Sequence, residues 1–253
     1  MYITRHIFIQ FPAKETKMEQ IYAIPVNEAF KESAEHAECG CPFCSIYRKL
    51  EENELEIILG AAMMEPDTRI KTNKEGFCRT HYDMMFTRKN RLGMALTLES
   101  HLDELREDMK EPLLSKMGGK QGERALGRIS ALEKTCYVCS RIEYHFSRMI
   151  ETSVILWEEQ EGFPALLAAQ PYFCLPHYRR MLEYAKHRLA KKKYASFEET
   201  ASQVEYKYFD KLRGDISWFC KKFDYRYDEE PWYDSKDAVE RAIRFLRSDI
   251  HKN

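Results

Sequence analysis

Eight side chains in this chain are spaced as metal ligands. Cys41 and Cys44 flank Pro-Phe, and Cys78 and His81 follow in Phe-Cys-Arg-Thr-His-Tyr. Cys136 and Cys139 flank Tyr-Val, and Cys174 and His177 follow in Phe-Cys-Leu-Pro-His-Tyr. Both copies have the form C-x2-C … F-C-x2-H-Y, with 33 residues between the pairs in the first and 34 in the second. Three thiols and one imidazole per copy match a closed tetrahedral zinc site. Residues three apart at a helix start share a face, so each Cys-x2-His pair can complete the set begun by its own Cys-x2-Cys pair. Three thiolates around Zn²⁺ leave a net negative charge, which a helix N-terminus favours. A closed set has no open position for water. The expectation is two structural zinc ions holding helices together, with no catalytic role. Ligation of an iron–sulfur cluster and reversible disulfides are the alternatives for the same thiols.

The other chemistry-bearing residues point to less. Cys39 lies two residues before Cys41, where it can exchange as a ligand or act as a resolving thiol. Cys220, within Trp218-Phe219-Cys220, reads as a core residue. His101 and His145 fall on apolar helical faces and read as satisfied core or surface histidines. The basic stretch from Lys186 to Lys193 reads as a solvated helix end, with nucleic-acid phosphate binding as the lesser alternative. Met117 to Gly122 lacks the Gly-Lys-Ser/Thr ending and the preceding strand of a phosphate loop, so it reads as a linker. The Glu-rich stretch from Glu104 to Glu111 has no recurring Glu-x2-His partner of a di-iron bundle. The aromatic tail Trp218, Phe219, Phe223, Tyr225, Tyr227, Trp232 and Tyr233 is expected to pack across a bundle.

The elements that must position these ligands all read as helices. Short helices are expected over 27–37, capped by Asn27, and from Cys44 to Leu59. A turn-rich stretch over 65–76 leads into Phe77-Cys78. Helix is expected from Arg79 to about Leu114 with a break near Gly93, its apolar stripe formed by Leu96, Leu98, His101, Leu102, Leu105 and Met109. Gly118, Gly119 and Gly122 mark a loop. The second copy predicts helices over 137–159 and 165–169, then one running from Pro176 to about Lys193. Ser196 with Glu199 resembles a capping box for a long helix toward Phe223, and a last amphipathic helix spans 235–250. No hairpin signal or alternating strand appears, so the fold class is all-α.

The 95- and 96-residue offsets between matching ligand pairs read as an internal duplication. This predicts two similar zinc-stapled repeats, over 18–117 and 124–194, followed by C-terminal helices over 195–253. Two such repeats can form separate lobes or one intertwined bundle. Residues 1–17 read as an upstream extension or a poorly ordered arm. At 253 residues, 44% hydrophobic and 32% charged with net charge −1, the composition is that of a globular protein without a global field toward nucleic acid or anionic membrane. The longest apolar run, Ile57 to Met64, is too short to span a bilayer, and no export signal is evident. A cytoplasmic location and reduced thiols are expected.

The combined motifs Cys-Pro-Phe-Cys, Gly-Phe-Cys-Arg-Thr-His-Tyr and Phe-Cys-Leu-Pro-His-Tyr, with the tail from Trp218 to Tyr227 and Pro231-Trp232, resemble a bacterial family known as domain of unknown function 6062. The resemblance covers roughly residues 18–246. It implies a bacterial cytoplasmic protein whose paired cysteine–histidine motifs belong together, and it supplies no catalytic residue. The sequence therefore points to a non-enzymatic binding or regulatory module with two structural zinc ions and a partner that is unknown, a protein being one candidate. A thiol or zinc redox sensor is the alternative. Nucleic-acid binding, or an enzyme with a pocket between the repeats, is weaker still.

Overall fold

Residues 20–109 and 120–250, described in a computed structural model, form α-helices joined by tight turns, and among them there is no strand. The expectations for residues 1–17, for a helix reaching Leu114 and for a loop at Gly118 and Gly119 lie outside the described residues. The first half contributes α1 (Gln20–Glu35), α2 (Pro42–Leu59), α3 (Pro66–Glu75), α4 (Arg79–Thr87) and α5 (Arg91–Met109). The second contributes α6 (Lys120–Leu132), α7 (Tyr137–Glu159), α8 (Phe163–Ala168), α9 (Leu175–Arg188) and α10 (Lys191–Lys221), followed by α11 (Ala238–Arg247).

The centre of the molecule is the pair α2 and α7. Phe43 and Tyr47 both meet Phe146, at 6.4 and 5.4 Å between ring centroids, and Glu54 faces Arg141 at 3.4 Å. Positions thus fall along α7 as they rise along α2, so the two helices run antiparallel. Helix α1 lies across both, with the Tyr22 hydroxyl 2.9 Å from His145 Nδ1 and Asn27 exchanging two amide hydrogen bonds with Gln160. An aromatic cluster fills the space between them. Phe30 packs edge-on against Phe43 at 5.4 Å and at a 38° tilt against Phe163 at 5.1 Å, and Phe43 meets Phe173 at 5.9 Å. Helices α3, α5 and α6 pack against one another. Arg128 ties them together by donating to the carbonyls of Asn73 and Lys74 at the end of α3 and to Asp108 of α5. It thereby satisfies terminal carbonyls that have no partner within their own helix.

Several elements depart from the sequence reading. Helix α1 begins at Gln20 and accommodates Pro25, so Asn27 is an interior residue bonded to Gln160 and not a cap. The turn-rich stretch is helix α3, with Pro66 in its first turn and Gly76 just past its end. Its polarity concealed it. Helices α4 and α5 are separate, and the break falls at Arg88 to Asn90, where the Asn90 side chain accepts from Gly93 N. Gly93 is a buried residue inside α5, where the inward face is Gly93, Met94, Thr97 and His101 while Leu102 and Met109 are exposed. Gly122 lies within α6. Helix α9 stops at Arg188, and α10 starts at Lys191, which places Ser196 and Glu199 inside a helix with no capping role. Helix α7 has the predicted bounds.

The aromatic tail closes on itself and does not cross the bundle. Trp218 meets Tyr227 and Tyr233 at 5.8 and 5.5 Å, and Phe219 meets Trp232 at 5.8 Å. Lys222 Nζ fastens the loop by donating to the carbonyls of Tyr227, Asp228 and Glu230. Phe43 is 0% exposed and Phe223 is 75% exposed. Replacing Phe43 by Ala is therefore expected to cost about 3–5 kcal/mol in urea denaturation. Phe223→Ala is expected to cost no more than about 0.5 kcal/mol.

Candidate metal centres

Each ligand pair occupies the same local position, the cap and third residue of a helix. Cys41 precedes α2 and Cys44 lies in its first turn; Cys136 and Cys139 stand likewise on α7. Cys78 precedes α4 with His81 in its first turn, and Cys174 and His177 do the same on α9. All four caps have extended backbone and none makes a side-chain cap hydrogen bond. The thiols take the place that Ser, Thr or Asp usually fills, and the third residue folds back toward the cap as it does in a capping box.

The helix ends meet in pairs drawn from opposite copies. Cys41 and Cys44 face Cys174 and His177, while Cys136 and Cys139 face Cys78 and His81. The expectation that each copy completes its own set is corrected: the second pair is exchanged. The antiparallel packing explains this. Helix α2 leaves the first group and, ten residues on, Glu51 is already beside His81 in the second. The two groups are thus separated by about 15 Å of helix. The chain reaches Cys78 at that far end, and returning to Cys41 would need the same distance again.

Within each group the donor atoms lie within 4.8 Å of one another. In the first, His177 Nδ1 stands 3.7, 3.6 and 3.1 Å from the sulfurs of Cys41, Cys44 and Cys174. In the second, His81 Nδ1 stands 3.1, 3.2 and 3.4 Å from those of Cys78, Cys136 and Cys139. A tetrahedron with metal–sulfur bonds of about 2.3 Å has edges of about 3.8 Å, so both groups can hold a metal ion.

Two glycines let the ligand turns approach one another. Gly76, at φ 61°, has its carbonyl on Tyr137 N at 2.9 Å, and a Cβ there would lie 3.0 Å from Leu132. Gly40, at φ 71°, precedes Cys41, and a Cβ there would lie 2.7 Å from the Tyr172 hydroxyl. Gly76 thus bonds the turn of the other copy, and Gly40 leaves room for Tyr172, two residues before Cys174.

The surroundings of the two groups differ. Glu51 Oε1 lies 3.1 Å from His81 Nε2, an arrangement that turns Nδ1 toward the three sulfurs and would make it a more basic metal donor. By the 95-residue offset the counterpart of Glu51 is Phe146, whose ring stands 5.0 Å from that of His177. Phe43 flanks the same imidazole at 6.0 Å. All four residues of the first group are buried, whereas Cys78 and Cys139 of the second are half-buried.

In both groups the thiols and the imidazole bias one another's protonation. Burial alone would lower the pKa of His81, but the Cys136 thiolate and Glu51 outweigh it and push it up to about 10. Hydrogen bonding from Cys139, opposed by burial and aided by His81, holds Cys136 down to about 3, while the same bond and burial push Cys139 up. In the first group burial and the neighbouring sulfurs push Cys41 up, while bonds from Cys174 and Cys41 pull Cys44 down. One thiol ionises readily and holds back its neighbours. A divalent cation at the centre removes that conflict and ionises all three.

Cys39 is half-buried and joins neither group. Cys220, expected in the core, is exposed, because the tail around it closes without it. His145 bonds Tyr22, while His101 is buried with Nδ1 unpartnered among the described residues. The basic stretch spans the break between α9 and α10. There Lys193 reaches Glu158 at 2.9 Å, and Arg188 reaches Glu158 and Glu159 at 3.7 and 3.4 Å. Sequence reading missed Glu51 and Glu205. A signal was present: Glu51 lies four residues from both Tyr47 and Leu55 on the buried stripe of α2, and Glu205 four from Ala201 on that of α10. Glu205 Oε2 accepts from Phe173 N, one residue before Cys174.

Fold and site together define an all-helical protein with two Cys3His groups able to hold metal ions. Over residues 17–253 the chain matches a family described as "Family of unknown function (DUF6062)", and it belongs to that family. No curated protein and no solved structure matches it. Among the described residues no helix is long and apolar enough to cross a membrane.

Glu51→Gln is expected to weaken metal binding about 10–100-fold at the group containing His81 and to leave the other unchanged, in chelator competition. Burial holds the Glu205 pKa up at about 8. The folded state therefore binds a proton that the unfolded state releases between the ordinary carboxylate range and that value, so stability should fall as pH rises through this window. Glu205→Gln keeps an acceptor for Phe173 N and is expected to flatten the decline in thermal melts between pH 5 and pH 9, with little effect at the acid end.

Proposed function

We propose that this protein is a non-enzymatic binding or regulatory module whose helices are stapled by two structural zinc ions. One is held by Cys41, Cys44, Cys174 and His177, the other by Cys78, His81, Cys136 and Cys139. The observation that carries the reading is that each group is a complete set of four donors drawn from both halves of the chain. Four protein donors leave no position for a reacting water, which favours a structural role. Three sulfurs and one nitrogen with donor atoms inside 4.8 Å suit a single tetrahedral ion; a cluster of several irons and sulfides needs more room. All eight cysteines are free of disulfides, as metal ligation in a reducing compartment such as the cytoplasm requires. Two of the cations in the basic stretch, Arg188 and Lys193, are already engaged by Glu158, which disfavours nucleic acid as the partner.

The first test is metal content and free thiols on protein purified without added metal or chelator. Two zinc equivalents per chain are expected, with Cys174→Ser retaining one and Cys220→Ser retaining both. Absence of metal, or full zinc in Cys174→Ser, refutes the reading.

A further inference from the structure

The two groups share their ligand types and differ in what surrounds them, and that difference sorts them chemically. Cys41, Cys44, Cys174 and His177 are 1%, 3%, 0% and 2% exposed, and the rings of Phe43 and Phe146 close over the imidazole. In the other group Cys78 and Cys139 are half-buried on adjoining helix ends, with sulfurs 3.9 Å apart. Behind its imidazole stands a carboxylate in place of a ring. The second group thus has two cysteines with part of their surface open to solvent, whereas all four residues of the first are closed off.

We infer that Cys78 and Cys139 are an oxidant-sensitive pair, whose conversion to a disulfide by hydrogen peroxide ejects the metal from their site while the Cys41–His177 site keeps its own. The inference rests on the metal-stapled reading above. One thiolate attacks a peroxide oxygen, which breaks the O–O bond and gives a sulfenic acid and water once a proton is taken up. The second thiolate attacks that sulfenic sulfur, the S–S bond forms, and hydroxide leaves and is protonated to water. Two thiolates lose two electrons in total, and one peroxide with two protons becomes two waters. The ion is left with Cys136 and His81 alone, too few donors to hold it.

The disulfide would replace one link between α4 and α7 by another, so the halves stay joined. What changes is the seating of α4. Helix α4 packs on α5, and the Gly76 carbonyl beside it holds Tyr137 N. Oxidation should therefore loosen residues 61–109 selectively and leave the aromatic cluster around Phe43 intact. A partner that recognises the first half of the chain would then bind the reduced and oxidised forms differently.

The test uses the full-length chain carrying Cys39→Ser and Cys220→Ser, which removes the two thiols outside both groups. Metal content is measured first, since its absence sinks the metal reading itself. Hydrogen peroxide is then titrated with a chromogenic chelator present, and disulfides are located by peptide mass spectrometry. One equivalent should be released at a peroxide dose at least about tenfold below that needed for the second, together with a Cys78–Cys139 linkage. Reduction by a dithiol with added zinc should restore it. Simultaneous loss of both equivalents, or first linkage among Cys41, Cys44 and Cys174, would overturn the inference while leaving the stapled fold standing.

Discussion

The structure depends on four helix N-termini that must meet in two pairs. A helix start carries unsatisfied N–H groups and the positive end of its dipole, and each of these starts is capped by a cysteine that makes no cap hydrogen bond. Two such ends brought together present three thiols and an imidazole to one small volume. The dipoles favour thiolates there, yet three thiolates repel one another in a buried space. A divalent cation resolves both demands, and the rest of the architecture serves to bring the right ends together.

The antiparallel pairing of α2 and α7 decides which ends those are. Because each helix passes one group at its start and the other about ten residues later, the two groups share the same pair of walls. Glu51 and Phe146 are the residues that each wall presents to the imidazole of the group farther along. Positions 95 residues apart thus place a carboxyl group beside His81 and an aromatic ring beside His177. Matching donor sets thus differ in the neighbour of the imidazole and, separately, in the partial exposure of Cys78 and Cys139.

Local signals were legible where the chain obeys one period over many residues. Helix α7, with Ile142, Phe146, Met149 and Ile150 on its inward face, could be bounded at both ends before any coordinates. Helix α3 could not, because Pro66-Asp-Thr-Arg-Ile-Lys has the composition of a turn, and it is held by Arg128 from another helix. In α5 the apolar residues outnumber the buried positions, so of the expected stripe His101 turns inward as read while Leu102 and Met109 face solvent and Thr97 takes an inward place. Cys220 departs in the same way: its apolar neighbours turn elsewhere, Trp218 to Tyr227 and Tyr233 and Phe219 to Trp232, and leave the thiol exposed.

The ligand types and their three-residue spacing belong to the sequence alone, because cap and third residue of a helix converge wherever that helix lies. So does the all-helical class, which follows from periodicity and the absence of alternating strand patterns. The partners of each pair were decided only in three dimensions. Nothing within 33 or 34 intervening residues says whether a chain doubles back or passes across, and both choices satisfy the same local rules. The antiparallel contact of α2 with α7 is a long-range packing choice. It exchanged the second pairs, set Glu51 against His81, and left two of the eight candidate donor residues, Cys78 and Cys139, half-buried.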